Sequence, residues 1–164
     1  MSRVVLMCGP AGSGKTTRAR ALENEGFVRL SIDTEAWARG LREQPLPDEV
    51  AVEIETHLRN RLIALIREAA DVVVDYSFWS RRKRSEYRDL IEHLGSTVVT
   101  LYVDTPRDVA LARVADRSGS HVDEVVLTPS QAESYYDHFE VPTQDEGPLI
   151  VVSGITASEI SQRP

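Results

Sequence analysis

The 164-residue sequence has a single cysteine, four scattered histidines and no long apolar run. One cysteine excludes an internal disulfide and is typical of a reducing compartment. The histidines are too far apart for metal-ligand spacing, so no structural metal is predicted. No apolar segment approaches the ~20 residues of a membrane-spanning helix, and the N-terminal apolar stretch is too short for a signal peptide. We therefore expect a cytoplasmic protein in which Cys8 is a small, buried apolar residue.

Basic side chains are also in the minority, with 19 Lys and Arg against 26 Asp and Glu and a formal net charge of −7. A surface of this sign repels nucleic-acid phosphates, so nucleic acid is the less expected partner and neutral or cationic small substrates are favoured. The length suits one domain with a buried core, which we assign to residues 1–164. The oligomeric state stays open.

The segment at residues 9–16, Gly-Pro-Ala-Gly-Ser-Gly-Lys-Thr, lies between an apolar run and a helix-compatible stretch. It fits the pattern G-x-x-x-x-G-K-S/T of a phosphate-binding loop, whose glycines let backbone N–H groups approach a triphosphate. Lys15 is expected to reach the β- and γ-phosphates, and Thr16 to ligate Mg²⁺. The candidate nucleotide-binding residues are Gly9, Pro10, Ala11, Gly12, Ser13, Gly14, Lys15, Thr16 and Thr17.

Short apolar segments alternate with segments of helical periodicity along the whole chain. The predicted strands are residues 4–8, 27–32, 72–74, 98–103 and 149–152. The first is continuously apolar, as is typical of a parallel strand buried on both faces. The longest predicted helix runs from about Asp48 to Ala70, where apolar residues recur every three or four positions. Ser80, Thr105 and Thr128 are predicted N-caps of the later helices.

The sequence contains few signals for the recognition of a nucleotide base. Guanine-specific switches carry Asn-Lys-x-Asp after the fourth strand, and its absence here argues against GTP. The loops that flank the fifth strand are where adenine is expected. Tyr135, Tyr136 and Phe139, in the predicted helix after Thr128, are interpreted as core residues and not as a surface on which a ligand stacks.

Two carboxylates follow predicted strands. Asp33 ends the second strand and is expected near the phosphate loop, because the carboxyl ends of parallel strands face the ligand crevice. It could equally be the N-cap of the next helix, and the two roles are compatible. Asp75 ends the third strand in the Walker B pattern, where a carboxylate orients Mg²⁺. Tyr76 follows it in place of the glutamate that activates water in motor-type ATPases, which favours transfer to a bound acceptor over hydrolysis.

Two groups of basic residues are candidates for contacts with anions. Residues 81–84 place four cations in the first turn of a helix, the wrong sign for its dipole, which suggests either an anionic partner or pairing with nearby glutamates such as Glu86 and Glu35. Arg113 and Arg117 lie four apart on one predicted helical face before a flexible segment. They suit a lid over residues 113–128 that closes on transferring phosphate, or else an ordinary surface helix.

These motifs together resemble the P-loop kinase family that is similar to zeta-toxin kinases, chloramphenicol phosphotransferases and polynucleotide 5′-hydroxyl kinases. The resemblance rests on residues 9–16, 32–33, 72–75 with 78–81, 101–104 and the two lid arginines. It implies a three-layer α/β fold with a five-stranded parallel sheet flanked by helices, and ATP with Mg²⁺ as phosphoryl donor. It also implies that Asp33 is the base that accepts the substrate proton, with Arg113 and Arg117 in the lid. Polynucleotide kinases usually place an arginine three residues after this aspartate, where this chain has Ala36; Arg39 is one turn further on.

The leading hypothesis is an ATP-dependent kinase that phosphorylates a hydroxyl of a small molecule such as an antibiotic, sugar, nucleoside or related metabolite. One alternative is a polynucleotide 5′-hydroxyl kinase with the arginines of residues 81–84 on the nucleic-acid backbone. A second is a non-catalytic nucleotide-dependent switch. The candidate substrate-binding residues are Asp33, Arg39, Arg81 and Arg84.

Overall fold

A computed structural model describes residues 1–122, 124–156 and 159. The strands are β1 (Arg3–Cys8), β2 (Val28–Leu30), β3 (Val72–Val74), β4 (Thr97–Asp104) and β5 (Leu149–Ser153). The helices are α1 (Lys15–Asn24), α2 (Ile32–Ala38), α3 (Asp48–Arg67), α4 (Arg81–His93), α5 (Arg107–Ala115) and α6 (Pro129–Asp137). A short 3₁₀ helix at Gln144–Glu146 precedes β5.

The five strands form one parallel sheet in the order β2-β3-β1-β4-β5. In the centre, Val5 lies opposite Val73 on one side and Val99 on the other. Parallel neighbours need crossover connections, which the helices between the strands supply. The predicted five-stranded parallel sheet flanked by helices is confirmed.

Helices cover both faces of the sheet. Successive side chains of β1 point to opposite faces, so each face presents apolar residues on which helices pack. Leu6 packs in a core with Leu62 and Tyr87, from α3 and α4. Met7 packs in a separate core with Ala19, from α1. Full burial of such apolar side chains contributes about 1.5–3 kcal/mol each. Every residue of β1 after Arg3 is buried, so the strand is a firmly packed base for the loop that follows it.

The boundary between β2 and α2 differs from the prediction. The strand ends at Leu30, and Ser31 is the N-cap of α2, because its side chain accepts a hydrogen bond from the backbone N–H of Thr34 at 3.2 Å. Asp33 therefore lies in the first turn of α2 and neither ends the strand nor caps the helix. Its negative charge there suits the helix dipole.

The start and end of α5 also correct the prediction. Thr105 is not its N-cap: Pro106 is the capping residue, and the Thr105 hydroxyl donates a 2.7 Å hydrogen bond to the carbonyl of Ser13. The helix ends at Ala115, so Arg117 does not share a helical face with Arg113. The Thr105 hydroxyl, which the local sequence pattern predicts to cap α5, instead binds the phosphate loop.

The other predicted caps are confirmed. The Ser80 side chain accepts from the N–H of Lys83 at the start of α4, and Thr128 forms a capping box with Gln131 at the start of α6. Cys8 is buried, as expected, and burial raises the pKa of its thiol to about 12. No helix within the described part of the chain is both long and apolar enough to cross a membrane.

Candidate active site

The phosphate-binding loop connects the buried end of β1 to α1. Its backbone needs glycine at two positions, because Gly12 and Gly14 have φ angles of 81° and 93° in the left-handed region. A Cβ atom on Gly12 would also lie 2.2 Å from the carbonyl oxygen of Ala110, so the loop packs directly on α5. Gly14 is the N-cap of α1 and provides no side-chain cap, which leaves the helix N-terminus open to an anion.

Neighbouring elements fix the loop from behind. Thr105 binds the Ser13 carbonyl, and Arg113 donates to the Gly12 carbonyl at 3.1 Å. The backbone N–H of Gly9 donates to the carbonyl of Ser77 at 3.0 Å. Because two loop carbonyls and one loop amide are held by residues outside the loop, the loop conformation is organised before any phosphate binds.

The predicted metal ligands lie together. The Thr16 hydroxyl is 3.2 Å from Oδ2 of Asp75, a carboxylate that is buried. The other oxygen, Oδ1, has no hydrogen-bond partner within the described structure. A hydroxyl beside a carboxylate oxygen with unused acceptor capacity is the oxygen donor set that suits Mg²⁺.

Arg29 is a neighbour of this pair that the sequence did not reveal. Its Nε and Nη2 atoms donate to Oδ2 of Asp75 at 2.9 and 2.7 Å. The two side chains are 6% and 1% exposed, so the ion pair is shielded from water. Arg29 thus engages one carboxylate oxygen of Asp75 and leaves the other, Oδ1, without a bond from it.

Two cavities meet above the loop. A cavity of about 750 Å³ is lined by the loop, the start of α1 and the segment after β5, including Thr17 and Gly154. A second cavity of about 570 Å³ is lined by Asp33, Asp75 and residues of α6. Lys15 and Arg117 line both cavities. The structure therefore brings the predicted phosphate, metal and base residues to one junction.

The two predicted lid arginines take different positions. Arg113 lies in the wall of the larger cavity, where its Nη2 donates to the Gly154 carbonyl and to Glu159, both at 2.6 Å. The hydrogen bond from Arg113 lowers the pKa of Glu159 to about 2. Arg117 follows α5, and its Nη1 is 3.4 Å from the Val125 carbonyl. Arg113 thus joins the loop to the segment after β5, while Arg117 lies between the two cavities.

The predicted substrate arginines on the surface are engaged in ion pairs. Arg39 lies outside both cavity walls and bonds to Glu35 and Glu53 at 3.0 and 2.7 Å. Arg81 bonds to Asp145 at 2.6 Å. The two residues that follow Arg81 are also paired, Arg82 with Glu86 at 3.6 Å and Lys83 with Glu55 at 2.7 Å. The interpretation of this basic turn as paired residues fits the geometry.

The structure contradicts the assignment of Arg84 to substrate binding, because its side chain is fully buried and lines neither of the two cavities described above. It forms two hydrogen bonds to Glu146, at 2.7 and 2.8 Å, and donates at 2.8 Å to the carbonyls of Phe78 and Glu140. The bonds from Arg84 hold the pKa of Glu146 below its ordinary value. A residue in this position cannot contact a substrate; it connects α4 to the segments on either side.

The sequence pattern did not predict the positions of the aromatic residues around the smaller cavity. Trp79 lines this cavity, as does Tyr135, which is 44% exposed and so is not the core residue expected. Tyr136 is held by a 2.6 Å hydrogen bond from its hydroxyl to the Thr105 carbonyl. Phe139 packs against the core and stacks on Tyr102, although its edge also reaches the cavity. Helical spacing could not distinguish these environments, since Tyr135 and Tyr136 of α6 and Phe139 just after it are close in sequence.

A family model described as an AAA domain matches residues 4–142. The chain belongs to this family. Among curated relatives, the UPF0200 protein PAE1629 of Pyrobaculum aerophilum is 31% identical over 125 residues, which cover 73% of this chain and 69% of the relative. The P-loop motif and the family assignment therefore agree.

Solved structures share the fold of this P-loop domain at low sequence identity. A sugar kinase from Janibacter sp. HTCC2649 is 24% identical with a TM-score of 0.66, and the match covers 94% of this chain and 86% of that one. A chain of the Pnkp1/Rnl/Hen1 RNA repair complex is 18% identical with a TM-score of 0.71, over 84% and 43% of the two chains. Kti12 of Chaetomium thermophilum, solved with ADP-AlF3, is 18% identical with a TM-score of 0.64, over 97% and 94%. The fold is that of P-loop kinases, and the resemblance predicted from the motifs is confirmed.

Proposed function

We propose that the protein is a kinase that transfers the γ-phosphate of ATP to a hydroxyl group of a small molecule. The observation that carries this proposal is the meeting of two cavities at Lys15 and Arg117, with the phosphate loop on one side and Asp33 on the other. A kinase needs two adjacent sites whose ligands meet at the transferring phosphate. A switch protein needs only the first of them.

In this proposal ATP occupies the larger cavity. The loop amides and the open N-terminus of α1 bind the phosphates, and Lys15 reaches the β- and γ-phosphates. Arg113 holds the loop through the Gly12 carbonyl and also lies in the cavity wall, where its positive charge attracts the negative phosphates. The segment after β5, which includes Gly154, lines the same cavity, and this supports the proposal that it receives the adenine.

Thr16 and Asp75 would hold Mg²⁺, which supplies charge neutralisation between the phosphates when it is bound. The supporting observation is Oδ1 of Asp75, a buried acceptor without a protein partner in the described residues. Because Arg29 and Thr16 both bond to Oδ2, Oδ1 is the oxygen available to a metal ion or its water.

Asp33 is proposed as the general base. It lines the smaller cavity, on the acceptor side of Lys15. Its carboxylate accepts the proton of the acceptor hydroxyl while that oxygen bonds to the γ-phosphorus, and the bond from the γ-phosphorus to the bridging oxygen breaks to release ADP. Arg117, in the proposed lid at residues 113–128, offsets the charge that develops on the transferring group.

A polynucleotide 5′-hydroxyl kinase is the second candidate, favoured by the structural likeness to a chain of an RNA repair complex. The net charge of −7 and the pairing of Arg81 with Asp145 weigh against it. Nucleic-acid binding depends on cations that neutralise backbone phosphates, and such binding falls steeply with salt.

The test follows labelled γ-phosphate from ATP, with Mg²⁺, onto a panel of hydroxyl compounds and 5′-hydroxyl oligonucleotides. Label on a small molecule is the expected result; label only on oligonucleotides would support the second candidate, and nucleotide binding without any transfer would support a switch. The variant Asp33→Asn should lose at least a hundredfold in kcat and retain its affinity for ATP. The matched control is Asp89→Asn, an exposed carboxylate on α4, which should behave as the parent protein.

A further inference from the structure

We propose that the phosphate acceptor is an uncharged hydroxyl compound with a planar aromatic or heteroaromatic ring, and that the ring stacks on Trp79 and Tyr135. This inference rests on the proposed kinase function in one respect, because it takes the ring compound that binds this site to be the phosphate acceptor. The site itself is the cavity of about 570 Å³ beside Asp33.

The first support is the exposure of two large aromatic rings within one cavity. Trp79 is 55% exposed and Tyr135 is 44% exposed, and both line this cavity from different segments of the chain. Trp79 comes from the segment before α4, and Tyr135 from α6. Aromatic side chains left open to water in a concave, mostly apolar site are typical of surfaces that a ligand covers.

The second support is the backbone that presents Trp79. Phe78, the residue before it, has a φ of 46°, a left-handed conformation that is unfavourable for a bulky residue. The Phe78 side chain is buried, with its ring centroid 5.3 Å from that of Tyr76 and 5.1 Å from that of Tyr87. This turn buries one aromatic residue and leaves the next exposed, and strain of this kind is concentrated at ligand sites.

The third support is that the two walls are tied together behind the cavity. Arg84 donates at 2.8 Å to the carbonyl of Phe78 and to the carbonyl of Glu140. The backbone N–H of Glu140 donates at 2.9 Å to the Trp79 carbonyl. The segment that carries Trp79 is therefore fixed to the segment that follows α6, so the site is organised before a ring enters and less ordering is needed on binding.

Charge decides against an anionic acceptor. Lys15 and Arg117 line the cavity, but both also line the nucleotide cavity, where the proposed function assigns them to the triphosphate. Within the described residues, the remaining carboxyl and imidazole side chains of the acceptor cavity are Asp33, Asp75 and His138, and Asp75 is already paired with Arg29. A sugar acid or a phosphorylated acceptor would bring negative charge next to the Asp33 carboxylate, and such a like-charge contact is unfavourable.

The test uses matched acceptors and does not require the natural one. Each of two ring systems, a nucleoside and a phenyl-substituted propanediol, is paired with its ring-free counterpart, ribose or propanediol. Each is also paired with an anionic counterpart, the nucleoside 3′-monophosphate or a phenyl-substituted hydroxy acid. We expect the neutral ring compounds to have a KM about tenfold lower than their ring-free counterparts, as stacking of one ring provides. Their KM should also be lower than that of the anionic compounds, which have the same ring but place a negative charge beside Asp33.

Variants separate recognition from chemistry. Trp79→Leu and Tyr135→Leu should each raise the KM for the ring compounds about tenfold and leave the KM for ATP within about twofold. Binding is also followed without activity, because the chain has two tryptophans and Trp37→Phe leaves Trp79 as the only one. Ring compounds should then quench its fluorescence.

Each outcome bears on one of the two proposals. Phosphorylation of ribose or propanediol as readily as of the ring compounds would overturn the ring site and retain the kinase. Phosphorylation of the anionic ring compounds as readily as of the neutral ones would overturn the requirement for an uncharged acceptor. Quenching of Trp79 by ring compounds without transfer to any acceptor would support the ring site and contradict the kinase. Absence of both quenching and ring preference would overturn the ring site.

Discussion

The buried ion pair between Arg84 and Glu146 gives the most demanding prediction. Their side chains are 0% and 2% exposed, and Arg84 donates four hydrogen bonds, two to Glu146 and one to each of two carbonyls. Removing one partner of a buried pair costs about 3–5 kcal/mol, because the other charge stays buried without compensation. The two orphaned carbonyls add to this, with about 1–3 kcal/mol for each buried group left unsatisfied.

Because these contributions are not additive, we expect Arg84→Met to lower the free energy of unfolding by about 4 kcal/mol, a large share of the ~5–15 kcal/mol of a typical domain. Urea denaturation at pH 7 measures this change. Arg82→Met is the matched control: its side chain is 85% exposed and its contact with Glu86 is 3.6 Å long, so we expect a change below about 0.5 kcal/mol.

The pH dependence tests the same pair. Arg84 keeps the pKa of Glu146 below its unfolded value of 4.5 in the folded protein. The stability that this provides is complete above pH 4.5 and is lost as the pH falls through the lower, folded pKa. Arg84→Met should therefore differ most from the parent protein above pH 4.5 and approach it in acid.

A double variant, Arg84→Met with Glu146→Leu, should recover at least about 2 kcal/mol, since it removes both charges together. A loss below about 1 kcal/mol in Arg84→Met, or a double variant no more stable than the single one, would refute the assignment of this pair as a buried structural bridge.

Three further predictions follow from contacts described above. Arg29→Met should lower the unfolding free energy by about 3 kcal/mol in urea denaturation, because the buried Asp75 carboxylate loses its cation. Arg29→Lys keeps a cation and should retain more than half of the stability that Arg29→Met loses; equal losses in the two variants would contradict the pairing. Gly12→Ala should abolish nucleotide binding in calorimetry, because its Cβ would lie 2.2 Å from the Ala110 carbonyl in a left-handed turn, and wild-type affinity would show that the loop moves freely. Cys8, whose thiol pKa is raised to about 12 by burial, should resist thiol reagents at pH 8 in the folded protein and react in urea; rapid labelling of the native state would contradict its burial.

Much of the fold was predictable because the signals are local. The phosphate loop and the N-caps Ser80 and Thr128 are each specified within about eight consecutive residues, and the same segments fold that way in the structure. The boundary after β2 failed for a local reason too. Ile32 extends an apolar run that favours a strand, but the Ser31 hydroxyl satisfies an amide of α2, and the helix begins there.

The buried ion pairs depended on contacts between residues far apart in the sequence. The sequence separates Arg29 from Asp75 by 46 positions and Arg84 from Glu146 by 62, so nothing in the local pattern indicates either pair. The basic turn of α4 illustrates the limit, because four consecutive cations suggest an anion site while the fold supplies a separate carboxylate to each.

The sequence by itself determined the phosphate loop, the five strands and the carboxylate after β3, because hydrophobic periodicity and glycine positions act on neighbouring residues. Tertiary structure decided the strand order, the partners of the arginines and the meeting of Trp79 with Tyr135 in one cavity. Those features depend on how β3, α4 and α6 pack, and packing is a property of the whole chain, because each element buries its apolar face against others far away in sequence.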